Sequence, residues 1–339
     1  MKEKIIKWWY KIIDSKKGII YLFFKILSIF YTFINSLHKN MTKKKKLNSI
    51  VISIGDITLG GTGKTPFVIE LSNRLKQRYK SGILSRGYKS HRKTEPIIVY
   101  KDYSLDVKET GDEPLLIYSE TGLPVGVYPD RFKAGELLID SFDINLLILD
   151  DGFQHYALHR DIDIVLIDLH KDPSQLNIFP AGDLREPLAC LSRANYIAGV
   201  RRGYEEKKYL KEWEDISNKK IYIIDYKIDG VYRSGVKVDN IKEPVYVLCG
   251  IGNPDYFLKI IQAMKISIAN TWIREDHADY TDKDLQMLKE IIQKGYSIIT
   301  TEKDFIKLKI LEDELYTLKI KIKADELIDE IFRKIEVCN

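Results

Sequence analysis

Lys64 and Thr65 close a glycine-rich stretch whose residue types are those that bind the phosphates of a nucleotide. The stretch reads SIGDITLGGTGKTP over residues 53–66. In a P-loop, backbone N–H groups and a helix N-terminus point at the phosphates, the lysine reaches the β- and γ-phosphates, and the hydroxyl binds Mg²⁺. Thr58 stands where that pattern has its first glycine, and later glycines supply the backbone freedom. The residues predicted to bind nucleotide are Thr58, Gly60, Gly61, Thr62, Gly63, Lys64 and Thr65.

Acidic residues end two of the apolar runs that follow, where a P-loop enzyme needs a carboxylate for Mg²⁺. LLILDD supplies Asp150 and Asp151, and IVLID supplies Asp168, for which a simple turn is the alternative. Spacing does not decide between the two. We favour the first pair because Gln154 and His155 follow it, just beyond the strand end where α/β proteins bind ligands. The predicted metal ligands are Thr65, Asp150 and Asp151.

Two further side chains are candidates for proton transfer. Asp112, in ETGDEPLLIY, stands at the start of a predicted helix, where it could act as a base. Thr110 and Glu113 match a capping box there, so helix capping is the alternative. His277, in REDHADY, lies beyond a predicted strand and before another capped helix, and an exposed loop histidine is the alternative.

Two short motifs remain ambiguous by sequence. Arg185, in LREP, either clamps a phosphate or pairs with Glu186. In TEKD, at residues 301–304, Thr301 and Asp304 match a helix cap.

The elements that must position these residues alternate between apolar β-branched runs and helical runs. This alternation predicts a doubly wound α/β sheet with parallel strands and crossover helices. A second alternating series starts after about residue 200. We therefore predict a membrane-associated helical segment over residues 1–46, a P-loop kinase domain over residues 47–200 and a smaller α/β domain over residues 201–339 that closes over the site.

Composition narrows the class of protein. The chain has 339 residues, 45% hydrophobic and 30% charged, as in a folded globular protein. Its three cysteines lie far apart without a CxxC, which excludes a cysteine-rich zinc site and is typical of a reducing compartment. The net charge of +5 is unevenly distributed, because residues 1–46 hold twelve lysines against two acidic residues. Those lysines are interleaved with apolar residues, which indicates a membrane surface and no nucleic acid.

The N-terminal segment has the length and pattern of a membrane-associated helix. Residues 18–37 suffice to span a bilayer, but Lys25 lies near their middle and lysines flank both ends. Residues 5–13 place isoleucines and tryptophan on one helical face, as in a helix that lies in the membrane interface. We favour a surface-lying segment. A spanning helix and a helix packed on the protein's own core are the alternatives.

Eight motifs together resemble tetraacyldisaccharide 4'-kinase, the lipid A 4'-kinase family, and they occur in the family's order. They cover about residues 47–308, and the family's loop also lacks the first P-loop glycine. At one position the family often has two consecutive histidines, where this chain has His277 and Ala278. The motifs are GGTGKTP, SRGY (85–88), GDEPLL (111–116), DDGFQH (150–155), LREP (184–187), GIGNP (250–254), DH (276–277) and TEKD (301–304).

The resemblance implies transfer of the γ-phosphoryl group of ATP to the 4'-hydroxyl of tetraacyldisaccharide 1-phosphate. It implies ATP and Mg²⁺ as cofactors and the cytoplasmic face of a bacterial inner membrane as location. We expect a monomer, although the sequence itself does not give the oligomeric state. It assigns Asp112 as base, His277 as its partner, and Lys64 and Asp151 to catalysis. The residues it implies at the substrate are Arg86, Gln154, His155, Arg185 and Glu186.

Two other functions fit parts of the sequence. A P-loop GTPase needs an Asn-Lys-x-Asp motif, and TEKD lacks the asparagine. A membrane scaffold without activity leaves the P-loop unused.

Overall fold

The structure is a computed structural model that describes residues 2–87, 94–101, 107–202 and 209–338. Its α-helices are α1 (Lys2–Ser15), α2 (Ile19–Met41), α3 (Lys64–Leu75), α4 (Val107–Thr110), α5 (Asp112–Thr121), α6 (Arg131–Phe142), α7 (Leu210–Ser217), α8 (Pro254–Ala263), α9 (Asp282–Gln293), α10 (Glu302–Lys307) and α11 (Asp325–Cys338). Its strands are β1 (Ile50–Asp56), β2 (Ser81–Ser85), β3 (Ile97–Val99), β4 (Val125–Val127), β5 (Leu146–Asp150), β6 (Ile162–Asp168), β7 (Tyr196–Arg202), β8 (Ile221–Arg233), β9 (Val236–Val238), β10 (Val245–Cys249), β11 (Ile268–Ile273), β12 (Ser297–Thr301) and β13 (Leu315–Lys323).

The described strands form one mixed sheet, in the order β11-β10-β12-β13-β8-β7-β6-β1-β5-β2-β4-β3, with β9 beside β8. Strands β8 to β4 in this order are parallel, and so are β11 to β13. The two parallel blocks meet where β13 pairs antiparallel with β8. The predicted α/β class with a largely parallel sheet is therefore confirmed, and the antiparallel junction is an addition to it.

The predicted domain boundary falls inside a strand. Strand β7 contains residue 200 and pairs in parallel with β6 on one side and β8 on the other. The sheet thus continues through this point, and the second parallel block begins with β10. The division into residues 47–200 and 201–339 stays a prediction.

Strands β1 and β5 lie side by side in the first block, with Ile50 opposite Leu146 and Ile54 opposite Asp150. Their apolar side chains are buried, as expected for parallel strands with both faces covered. The largest core cluster includes Phe67 and Leu71 of α3 packed against this sheet. As a result, the carboxyl ends of β1 and β5 open at the same edge, next to the start of α3.

The N-terminal helices α1 and α2 dock on residues 178–185 through a few contacts. The indole N–H of Trp9 donates to the carbonyl of Pro180 at 2.8 Å. The Ser28 hydroxyl donates to the carbonyl of Ile178 at 2.8 Å and accepts from the Ala181 N–H at 3.2 Å. These contacts fix one face of α2 to the body near the site.

The other face of α2 is apolar and exposed. In its most apolar 18 residues only 11% is buried, and in the described chain it is the one helix long and apolar enough to cross a membrane. This argues against the alternative of a helix packed on the protein's own core. The exposed large apolar residues of α2 are Ile19, Ile20, Leu22, Phe23, Ile26, Leu27, Ile29, Phe30, Phe33, Ile34, Leu37 and Met41.

Candidate active site

The P-loop lysine lies in a cluster of carboxylates at the end of β1. Lys64 Nζ is 2.5 Å from Asp56 Oδ2 and 3.4 Å from Asp151 Oδ1. The Thr62 hydroxyl donates to the same Asp56 oxygen at 2.7 Å. Burial acts to lower the pKa of Lys64, but Asp56 and Asp151 outweigh it, so the pKa lies above its usual value. Lys64 is therefore a fully charged cation at the start of α3.

The backbone of the loop has the conformation that its glycines allow. Gly60 and Gly63 have φ of 100° and 88°, and Gly63 is the N-cap of α3. The Tyr226 hydroxyl donates to the Gly63 carbonyl and lies so close that a Cβ on Gly63 would be 2.7 Å from it. Thr58 has no positive φ and pairs with Leu184 in an antiparallel bridge. Because position 58 needs no left-handed backbone, threonine can replace the pattern's first glycine there.

The neighbouring strand β5 ends at Asp150 and Asp151, as predicted. Asp150 is buried, and burial, reinforced by the charges of Glu113 and Asp151, raises its pKa to about 8. Burial also acts on Asp151, but the charges of Lys64 and Arg185 outweigh it and lower the pKa of Asp151. One carboxyl is thus held neutral and its neighbour ionised near neutral pH.

Backbone geometry turns Asp151 towards Lys64. Asp151 has φ of 50°, and a Cβ on the following Gly152 would be 2.5 Å from Leu149 and 2.6 Å from the Ser53 hydroxyl. A glycine is required at position 152 because the turn passes this close to β1.

Asp168, the alternative metal ligand, lies in different surroundings. Its carboxylate contacts the His170 ring at 3.1 Å and Arg202 at 3.4 Å. Arg202 also donates to the Gly61 carbonyl at 2.7 Å. Asp168 therefore helps to hold the loop from outside, whereas Asp151 contacts Lys64 itself.

The oxygen atoms around Lys64 are suited to Mg²⁺. Asp56 is fully buried, and its Oδ1 accepts no hydrogen bond from the described residues, although Arg185 Nη1 lies 3.5 Å away. Mg²⁺ prefers oxygen ligands and takes one or two carboxylates together with substrate phosphates. Asp56, Asp150, Asp151 and Thr65 carry oxygen atoms of this kind. Among the described residues, however, no three acidic, histidine or cysteine side chains are grouped so as to hold a metal ion by themselves. The residue types fit Mg²⁺ bound together with substrate phosphates, and the assignment of Thr65, Asp150 and Asp151 as its ligands stays a prediction.

Arg185 pairs with Asp151 and not with Glu186. Its Nη1 lies 3.0 and 3.1 Å from the two Asp151 oxygens and 3.5 Å from the Gln154 amide oxygen. Glu186 is buried and accepts two hydrogen bonds of 2.7 Å from Arg193. The possibility that Arg185 merely pairs with Glu186 is therefore wrong, because Arg193 neutralises that carboxylate.

The remaining residues predicted at the substrate lie near this cluster. Gln154 donates to the Asp56 carbonyl at 2.9 Å. Burial, with the charge of Arg131, lowers the pKa of His155 to about 4, so this imidazole is neutral at physiological pH. Arg86 is exposed on the loop after β2, and its positive charge contributes to lowering the pKa of His155 and of Arg131. Tyr88 of the same motif lies outside the described residues.

Asp112 and His277 are in direct contact, although 165 positions separate them in the chain. His277 Nδ1 lies 2.8 Å from Asp112 Oδ1, and Lys307 Nζ lies 2.9 Å from Asp112 Oδ2. Burial acts to raise the pKa of Asp112, but the His277 hydrogen bond, Lys303 and Lys307 outweigh it and place the pKa well below its usual range. Asp112 is therefore ionised throughout the physiological range.

The capping box predicted from Thr110 and Glu113 is not formed at the start of α5, because the helix begins at Asp112 with Gly111 as its N-cap. Thr110 belongs to α4, and its hydroxyl contacts the Gly111 carbonyl. Asp112 Oδ1 nevertheless accepts from the Glu113 N–H at 3.0 Å, so the carboxylate also satisfies one amide of the first turn. By contrast, the cap predicted for TEKD is confirmed, since the Thr301 hydroxyl accepts from the Asp304 N–H at 3.2 Å.

The two clusters belong to one cleft. Glu113, next to Asp112, is close enough to Asp150 to raise its pKa. Across the P-loop, a Cβ on Gly252 of GIGNP would lie 3.4 Å from the Gly61 nitrogen and 3.5 Å from Asp276. The parallel block that contains His277 therefore packs against the block that contains Lys64.

Comparison with known proteins identifies the family of the chain. A family model described as tetraacyldisaccharide-1-P 4'-kinase (LpxK) matches residues 20–336. The chain belongs to the tetraacyldisaccharide-1-P 4'-kinase family. Membership in this family confirms the predicted resemblance and, with it, a kinase of lipid A biosynthesis.

Similarity to individual kinases extends over most of the chain. The tetraacyldisaccharide 4'-kinase of Halothermothrix orenii is 33% identical, over 86% of this chain and 84% of that protein. The one from Ruthia magnifica is 34% identical, over 94% and 98%. The crystal structure of an "apo" form of LpxK from Aquifex aeolicus in complex with ATP has a TM-score of 0.74 and 30% identity, and covers 91% of this chain and 97% of that one.

Several residues of the cleft were missed by the sequence analysis. Asp56 ends β1 inside the quoted stretch SIGDITLGG, so the rule that a strand-end acid faces the site would have found it. Lys303 lies within TEKD and Lys307 lies three residues after it, and the predicted cap of Thr301 and Asp304 involves neither lysine. Tyr226 and Arg202 come from β8 and β7, and no motif marks them.

Proposed function

We propose that this chain transfers the γ-phosphoryl group of ATP to the 4'-hydroxyl of tetraacyldisaccharide 1-phosphate, a step of lipid A biosynthesis. The observation that carries the proposal is a single cleft with a P-loop lysine among carboxylates at one side and the Asp112–His277 pair at the other. A new bond forms between the 4'-oxygen and the γ-phosphorus, and the bond from that phosphorus to the β-phosphate oxygen breaks. The proton of the hydroxyl leaves as the bond forms.

Lys64 and the loop amides hold the triphosphate in this proposal. The Lys64 ammonium group contacts the carboxylates of Asp56 and Asp151. The negatively charged oxygens of a triphosphate are a similar partner for it. Phosphoryl transfer requires little covalent chemistry from a protein, so positioning and charge stabilisation contribute most of the rate. Thr65, Asp56, Asp150 and Asp151 would hold Mg²⁺, which when bound neutralises negative charge on the phosphates.

Asp112 receives the hydroxyl proton, and His277 orients Asp112. The carboxylate is ionised at physiological pH, so it can always accept a hydrogen bond from the incoming hydroxyl. Because His277 comes from the second parallel block, the two blocks must stay in contact during transfer. The prediction that residues 201–339 close over the site belongs to this proposal.

We propose that the disaccharide and its phosphate contact side chains near the lysine and carboxylate cluster, namely Arg86, Gln154, His155 and Arg185. Arg86 is an exposed cation and suits a phosphate oxygen. His155 is neutral and offers a hydrogen bond instead of a charge. Arg185 contacts the same Asp151 carboxylate as Lys64, and Gln154 donates to the main-chain carbonyl of Asp56. Glu186 is held by Arg193, so its role would be to fix the loop that carries Arg185.

The N-terminal helices are proposed to hold the enzyme on the membrane in which its acylated substrate resides. Residues 1–46 carry a net charge of +10, and α2 exposes an apolar face beside the docking contacts near Arg185. A basic segment with an apolar face binds anionic lipid surfaces. We place the monomeric enzyme at the cytoplasmic face of the bacterial inner membrane, where ATP is available.

The test is a lipid kinase assay with γ-labelled ATP and tetraacyldisaccharide 1-phosphate in mixed micelles. We expect label in a lipid product with phosphate on the 4'-oxygen, identified by mass spectrometry. GTP in place of ATP tests the GTPase alternative. Omission of the lipid tests whether ATP is hydrolysed without phosphoryl transfer to a lipid. Nucleotide turnover without a labelled lipid, or no turnover at all, would refute the proposal.

A further inference from the structure

Lys303 of α10 reaches into the Asp112–His277 pair from the side opposite Asp112. Its Nζ lies 2.9 Å from His277 Nε2, 3.0 Å from Asp276 Oδ1 and 3.3 Å from Glu113 Oε1. The side chain is 15% exposed. The helix cap predicted for TEKD does not use this lysine, so its position between three partners needs another reason.

The contacts with Lys303 and Asp112 agree on which nitrogen of His277 carries the proton. An ammonium group has three donors and no acceptor. Nε2 must therefore accept from Lys303, and the single proton of the neutral ring lies on Nδ1. Nδ1 is 2.8 Å from Asp112 Oδ1, so in this tautomer the ring donates to the carboxylate. A proton on Nε2 would instead face the ammonium group.

We propose that Lys303 is a positioning residue of the phosphoryl transfer, which holds the His277 ring through Nε2 in the orientation that directs Nδ1–H at Asp112. The inference rests on the proposed function, because it assigns Lys303 to the reaction at that site. Without the hydrogen bond at Nε2 the ring could turn away from Asp112, and the carboxylate could then rotate away from the hydroxyl.

Charged groups face His277 from three elements, and they determine how the pair responds to pH. Helix α5 supplies Asp112 and Glu113, and the loop after β11 supplies Asp276. Glu113 Oε1 and Asp276 Oδ1 lie 3.9 and 3.8 Å from Nε2. Helix α10 supplies Lys303, together with Lys307 on Asp112 and with Asp304, whose Oδ1 is 4.0 Å from Lys307. Without the charge of Lys303, the three carboxylates near the ring favour a second proton on it.

The first test compares three variants in the lipid kinase assay across pH. Lys303→Met removes the charge at similar volume, and Lys303→Arg keeps it. Lys309→Met, on the exposed next turn, is the matched control. General acid–base groups contribute about 10²–10⁴ to a rate, so we expect Lys303→Met to lower kcat by about tenfold or more. The KM for ATP should stay near wild type, and the acid limb of the kcat profile should move to higher pH.

Rescue and control separate positioning from folding. Lys303→Arg should restore part of kcat and the wild-type acid limb, and Lys309→Met should match wild type. Thermal unfolding of each variant shows whether the fold is intact. A Lys303→Met enzyme with wild-type kcat, or with a lower kcat but an unmoved acid limb, would overturn the inference.

A second test needs no activity. Nitrogen-15 NMR of the labelled imidazoles reports which nitrogen is protonated, and His277→Gln identifies the signal of His277. We expect the Nδ1–H tautomer in wild type and, in Lys303→Met, a shifted Nε2 signal, because that nitrogen has lost its ammonium donor. An Nε2–H tautomer in wild type, or no change in the variant, would contradict the inference. If wild type makes no phosphorylated lipid, the proposed function fails, while this NMR result still decides the role of Lys303.

Discussion

Replacing Asp112 with asparagine should reduce both turnover and stability, because this carboxylate also neutralises a buried lysine. The Asp112 and Lys307 side chains are each 5% exposed, and their charged atoms lie 2.9 Å apart. Removal of one partner of a buried ion pair costs about 3–5 kcal/mol. We therefore expect Asp112→Asn to lower the free energy of unfolding by about that amount, and kcat by about 10²–10⁴ if it is the base.

A second substitution separates the two effects. Asp112→Asn with Lys307→Met removes the Asp112–Lys307 pair as a whole, and replacing a whole ion pair by uncharged groups is often close to neutral. Asp304, 4.0 Å from Lys307, keeps its hydrogen bonds from Gly250, Tyr280 and Thr301. We expect the double variant to regain most of the free energy of unfolding but not kcat. Denaturant titration measures the first quantity and the lipid kinase assay the second. ATP affinity, measured by calorimetry, should stay near wild type in both variants, because Lys64 does not contact Asp112.

Turnover of the double variant decides the role of Asp112. A double variant that regains most of the wild-type kcat would show that Asp112 acts only by holding the fold, and would refute its assignment as base. A single variant with undiminished kcat would refute it equally.

Three further predictions follow from individual contacts. Gly63→Ala places a Cβ 2.7 Å from the Tyr226 hydroxyl on a residue with φ of 88°. We expect this variant to bind ATP more weakly and to lose at least about 1–2 kcal/mol of stability in thermal unfolding. Gly61→Ala, where a Cβ would meet no neighbouring atom, should leave stability unchanged. Phe30→Ser and Phe33→Ser on the exposed face of α2 should each weaken partitioning into anionic vesicles by about tenfold, because burying a phenylalanine contributes about 1.5–3 kcal/mol. Ile310→Ser, at another exposed apolar side chain, is the control. Unchanged partitioning of the two phenylalanine variants would contradict the membrane assignment. Burial raises the pKa of Glu302 to about 7 although Lys319 opposes it, whereas an unfolded chain ionises glutamate near about 4.3. Between these two pKa values the unfolded state binds fewer protons than the folded state, so the free energy of unfolding should fall as the pH rises through this range. Glu302→Gln should flatten the dependence of the melting temperature on pH. An unchanged dependence in the variant would contradict this prediction.

The sequence predicts those parts of the site that depend on local chain geometry. The strand, turn and helix around Lys64 are contiguous, so their phosphate-binding arrangement follows from residue order and from glycine positions. Asp150 and Asp151 were predicted next to Lys64 because parallel strands end at the same edge of a sheet. The family motifs added Asp112 and His277, which residue types alone did not distinguish from a cap and a loop residue.

The remaining contacts depend on the path of the chain in three dimensions. Arg193, and not Arg185, pairs with Glu186, and this is visible only in the folded chain, where Arg193 also donates to the Phe153 carbonyl. Lys303 and Lys307 belong to a short helix in the second block, and their meeting with α5 depends on the antiparallel pairing of β8 with β13. No local pattern predicts that pairing, because it joins segments about 90 residues apart.

The most direct test of the account is a structure of the enzyme with a nonhydrolysable ATP analogue, Mg²⁺ and the disaccharide lipid. We predict the terminal phosphate beside Lys64 and the 4'-hydroxyl within hydrogen-bond distance of Asp112, with His277 still in contact with the Asp112 carboxylate. A terminal phosphate away from Lys64, or a 4'-hydroxyl that faces another residue while Asp112 points into solvent, would contradict the account.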